Sequence, residues 1–111
     1  VACGPIPPAW RFDASRPLEG IVLDNVFNGW EGPAEVVHPR AARVALDADR
    51  ACGRLVVYAP EDRDFVCLEP VTHETDAFNR ADRGEADTGT RVVDAGGAFS
   101  CTMRISVRTL S

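Results

Sequence analysis

Phe99, Cys101, Met103, Ile105 and Val107 alternate with Ser100, Thr102, Arg104, Ser106 and Arg108. A strict period of two is the signature of a β-strand with one apolar and one polar face, so this stretch predicts a strand packed on one side and wet on the other. The other apolar runs are short and point the same way. Gly20 to Asp24, Ala34 to His38, Arg43 to Ala48, Arg54 to Ala59 and Asp64 to Glu69 are rich in Val and Leu and are bounded by Pro, Asp, Asn or Gly. Pro70 is expected to end the last of them, because it cannot donate into a ladder. The middle three have the spacing of an antiparallel meander. Asn28-Gly29 and Gly32-Pro33 mark a loop carrying Trp30, and Gly96-Gly97 marks a turn between Arg91–Asp94 and the closing strand. No window of eleven or more residues carries a helical stripe. The expected class is all-β, an antiparallel β-sandwich.

From Gly4 to Pro17 four prolines force extended geometry, so residues 1–19 read as a proline-rich leading segment on a surface. Thr72 to Arg83 is polar and full of breakers, which predicts a long loop with one helical turn. The chain has 111 residues, enough for one core and too few for two domains. It opens at Val1, straight into prolines, and reads as the sequel to preceding polypeptide.

Charge narrows the function classes. Seventeen acidic residues face twelve basic ones, all of them Arg, giving a net charge of -5 and no lysine stripe to follow a phosphate backbone. Nucleic acid is not an expected partner. No apolar run approaches the ~20 residues that cross a bilayer, and the opening residues lack the form of a secretion signal, so no membrane partner and a cytoplasmic location are expected. The four cysteines, Cys3, Cys52, Cys67 and Cys101, are spaced too irregularly for a paired-cysteine zinc site and too sparsely for a disulfide scaffold. They read as reduced, structural thiols. His38 and His73 lie on different segments without ligand spacing, and no phosphate loop, dinucleotide fingerprint or serine elbow occurs. Neither a metal nor a cofactor is expected.

Two carboxylates sit where an apolar run meets a loop: Asp24 and Glu69. A strand end holds such a group rigidly over a cleft. The apolar residues before Glu69 would part-bury it and favour its neutral form, bringing it toward the range in which a general base works. Glu69 is therefore the better base candidate, with His73 positioned to line the same cleft. Phe27 and Trp30 flank the loop after Asp24, where an aromatic face beside a carboxylate suits a sugar ring. Core packing is the alternative for Trp30.

The segments LDNVFNGW (Leu23 to Trp30) and DFVCLEPVTHETDAFN (Asp64 to Asn79) resemble the aldose 1-epimerase, or mutarotase, family. WRFD from Trp10, VVYAP from Val56 and DAGGAFSCTMRISV from Asp94 extend the likeness over roughly Trp10 to Val107. The resemblance implies a galactose mutarotase-like supersandwich of which this chain is the C-terminal part. It also implies cofactor-free interconversion of the α and β anomers of a free aldohexose such as galactose or glucose. By motif position Glu69 matches the base that takes the anomeric proton, and Asp24 matches a carboxylate that binds sugar hydroxyls. The family's acid and sugar-binding histidines belong to its N-terminal portion, and neither His38 nor His73 matches them. That missing portion of the same domain is then a required partner. A non-catalytic carbohydrate-binding module and an inactive structural fragment are the competing expectations.

Overall fold

In a computed structural model, residues 4–109 are described; Cys3 lies outside them. The chain is all-β and antiparallel. It forms β1 (Leu23–Asn28), β2 (Ala34–His38), β3 (Ala42–Ala48), β4 (Arg54–Ala59), β5 (Cys67–Val71) and β6 (Met103–Thr109), with one short helix, α1 (Ala77–Asp82). A single 3-10 turn, Pro8–Trp10, interrupts the proline-rich leading segment. The expected helical turn in the Thr72 to Arg83 loop is α1.

The strands divide into two three-stranded sheets, β1-β4-β5 and β2-β3-β6. β2 and β3 form a hairpin, Ala34 facing Leu46 and His38 facing Ala42. The meander expected to continue from β3 into β4 does not form, because the turn after Asp49 carries the chain out of one sheet and into the other. β4 instead becomes the central strand between β1 and β5. Its residues Leu55, Val57 and Ala59 alternate inward and are buried with Leu23 of β1 and Leu46 of β3. Leu46 is the second sheet's contribution to the core of the first. Trp10, Ile21, Phe27, Trp30 and Leu68 pack around this cluster.

Three expectations about strand limits need correction. β1 starts at Leu23 and runs past Asp24 to Asn28, so Asp24 stands inside a strand and not at its end. Pro70 does not stop β5, which runs on to Val71; β5 is an edge strand, where a missing N–H costs no ladder bond on the outer side. The alternating C-terminal stretch pairs only from Met103, and its apolar face is not packed. Met103, Ile105 and Val107 are 53%, 57% and 65% exposed. β6 pairs with β3 alone, at the outer edge of the second sheet, beyond the reach of the first. Arg91–Asp94 joins no ladder.

Candidate functional site

Register places the two candidate carboxylates on one surface. Asp24 faces Tyr58 across β1 and β4, and Tyr58 faces Cys67 of β5. Val26 faces Val56, which faces Glu69. Cross-strand partners share a face, so Asp24, Val26, Val56, Tyr58 and Glu69 all stand on the side of the sheet opposite Leu55 and Val57. Asp24 and Glu69 are two strands apart and offset by two residues, about 12 Å between their Cα atoms at ordinary strand spacings. Val26 and Val56 form an apolar floor between them. Both carboxylates are exposed. The part-burial expected for Glu69 is absent, because the apolar residues beside it in sequence, Leu68 above all, point to the other face.

A cavity of about 650 Å³ opens beside β1. Asp24, Asn25 and Asn28 supply its polar wall, Trp10 and Phe27 its aromatic one, and Glu74 and Arg80 its far side. Glu69, His73 and Trp30 do not line it. Trp30 packs on the core cluster, as the core-packing alternative has it, and its backbone N–H donates to the Gly53 carbonyl at 2.9 Å. Trp10 takes the aromatic position expected of Trp30. His73 is exposed in the loop after β5 and stacks on Phe78 with ring centroids 6.0 Å apart. His38 ends β2 in the other sheet.

The far wall holds an ion network that sequence reasoning did not single out. Glu74, 8% exposed, accepts from Arg54 Nε at 3.2 Å and from Arg80 Nη1 at 2.8 Å. Arg54 also donates to the carbonyls of Thr72, at 3.0 Å, and Asp87, at 2.6 Å. Arg80 donates on to Glu85 at 3.2 Å. The hydrogen bond to Glu74, and then the one to Glu85, holds the Arg80 guanidinium protonated above its ordinary range. Its charge is therefore paired within the protein, with Glu74 and Glu85. Gly89 closes the network: at φ +79° it lies so near Thr72 that a Cβ would strike the Thr72 carbonyl oxygen. The sequence carried little signal for it: Glu74, Arg80 and Glu85 are six and five residues apart, off the three- and four-residue spacing of helical neighbours, and Arg54 comes from β4.

No protein-family model and no solved structure matches the chain. It is 30% identical over 91 residues to the uncharacterized protein YphB of Escherichia coli (strain K12). The match covers 75% of this chain and 31% of that protein, so the chain spans about a third of the length of the curated relative. Among the described residues, no helix is long and apolar enough to cross a membrane. Nor does any group of three or more His, Cys, Asp and Glu stand ready for a metal ion among them.

Proposed function

We propose that this chain is the C-terminal part of an aldose 1-epimerase-like domain that interconverts the anomers of a free hexose such as galactose or glucose. The observation that carries the reading is the shared face of Asp24 and Glu69 across an apolar floor. A sugar presents hydroxyls at its rim and C–H groups on its face, and that surface offers acceptors for the first and Val26 and Val56 for the second. In this reading Glu69 takes the proton from the anomeric hydroxyl. A general acid from polypeptide outside this chain protonates the ring oxygen, and the opened aldehyde rotates and recloses with the roles reversed. Asp24 orients the sugar through its hydroxyls. No cofactor enters the chemistry. The domain is proposed to be a β-sandwich completed by its N-terminal portion, in a cytoplasmic protein.

Polarimetry on freshly dissolved α-glucose and α-galactose tests it. The intact protein should speed mutarotation, and Glu69→Gln should remove the acceleration; an undiminished rate in that variant would end the assignment of the base. This chain by itself lacks the acid, and losing one proton-transfer partner costs about 10²–10⁴ in rate.

A second reading is favoured by the cavity itself, which contains Asp24 with Trp10 and Phe27 but not Glu69. It makes the chain a carbohydrate-binding module without catalysis. Calorimetry separates the two: saturable hexose binding that survives Glu69→Gln, with no effect on anomer exchange, belongs to the module.

A further inference from the structure

Cys52 and Cys101 are far apart in sequence and adjacent in space. The β3–β6 ladder ends at Ala48 and Met103, and the two chains stay joined beyond it. The Asp49 N–H donates to the Thr102 carbonyl at 3.0 Å, and the Thr102 N–H donates to the Asp49 carboxylate at 2.9 Å. On the other side the Cys52 N–H donates to the Asp49 carbonyl at 2.9 Å, folding the turn back on the same residue. Asp49 thus holds both cysteine-bearing segments together, with Cys52 on one side of it and Cys101, next to Thr102, on the other. Cys52 is buried at 8% exposure, whereas Cys101 is open to solvent.

We propose that Cys52 and Cys101 form a reversible intramolecular disulfide that ties β6 to the β3–β4 turn, with a small-molecule disulfide such as oxidised glutathione as the oxidant. Exposure decides the order of events. The Cys101 thiol gives its proton to water and attacks one sulfur of oxidised glutathione. That S–S bond breaks, a mixed disulfide forms on Cys101, and one glutathione leaves and takes up a proton. Cys52 then loses its proton and attacks the Cys101 sulfur, releasing the second glutathione, again protonated. Two protein thiols are oxidised by two electrons, and one glutathione disulfide is reduced to two thiols.

Burial, and then the neighbouring Cys101 thiol, pushes the Cys52 thiol up to about 11, which leaves the exposed Cys101 to react first. The bridge has a mechanical consequence. β6 hangs on one neighbouring strand, with every residue exposed. A covalent link at its start closes the long loop from 52 to 101 and removes much of the freedom that strand gains on unfolding.

The test is incubation of the purified protein with oxidised glutathione, followed by intact mass and non-reducing peptide mapping. The wild type should lose the mass of two hydrogens and yield a peptide joining Cys52 to Cys101. Cys67→Ser should do the same, whereas Cys52→Ser should stop at one glutathione on Cys101. The oxidised protein should melt at least about 5 °C higher than the reduced one, and dithiothreitol should reverse the gain. A lasting glutathione adduct on wild-type Cys101, or a bridge made through Cys67 or Cys3 instead, would overturn the proposal. The wild-type map decides the matter even if a serine variant fails to fold.

Discussion

At the scale of single residues, the wall around Glu74 is the most demanding place in the molecule. One carboxylate answers two guanidinium groups, each with its side chain less than a fifth exposed. Removing it takes the ion pair from Arg54 and leaves Arg80 with Glu85, so Glu74→Ala should destabilise the fold by about 3 kcal/mol in urea titration, and Glu74→Gln by nearly as much. Gly89 bears on the same spot. Alanine there would both adopt an unfavourable φ and meet the Thr72 carbonyl, and Gly89→Ala should lower stability by about 2 kcal/mol, read from the same titration. Cys52 supplies a pH signature. Its thiol is raised in the folded state from 9.0 to about 11, so its contribution to stability is complete below pH 9. That contribution is lost as the pH climbs through 9 toward 11, because the unfolded chain ionises first. Urea midpoints should fall over this window in the wild type and fall less in Cys52→Ala.

Elements tell a different story about what a sequence discloses. β2 and β4 occupy the limits their Val-rich runs predict, because a short apolar run between breakers has few other uses in a chain without helical periodicity. β6 was the clearest strand by alternation, yet its apolar face is bare; periodicity specifies the pleat and says nothing of what covers it. The meander failed at the turn after Asp49 for a related reason. Which sheet a strand joins depends on where Leu46 and Leu55 can meet, a contact between strands and not a property of either. The site shows the same division. Asp24 and Glu69 were legible as carboxylates beside apolar runs, while the burial of Glu69 was misjudged because the neighbours that would bury it alternate to the far face. Trp10 was missed because prolines disguise the leading segment as a linker. Packing contrasts sharply between elements, and substitution measures it: Leu23→Ala should cost about 3 kcal/mol, whereas Ile105→Ala should cost less than about 1 kcal/mol.

For the whole molecule, surface is the telling quantity. The chain exposes 8489 Å², against about 6000 Å² for a folded monomer of its mass. Its radius of gyration, 15.9 Å, likewise exceeds the roughly 13 Å of a compact chain this long. The second sheet contributes to the excess, because its row of Met103, Ile105 and Val107 stands open. Such a face suits further polypeptide of the same domain, as proposed above. A hydrophobic dye such as ANS should bind this chain, and should bind it markedly less after Ile105→Ser and Val107→Ser together; unchanged fluorescence would place the open apolar surface elsewhere.

Two carboxylates on one sheet face, Asp24 and Glu69, are proposed to hold a hexose between them. Anomer exchange of glucose and galactose, followed by NMR exchange spectroscopy with the complete domain proposed above, tests this most directly. Glu69→Gln should lower kcat by about 10²–10⁴ with KM little changed, as expected for a proton-transfer group. Asp24→Asn should act mainly by raising KM, as expected for an orienting one. Exchange that proceeds at the wild-type rate in both variants would contradict the account.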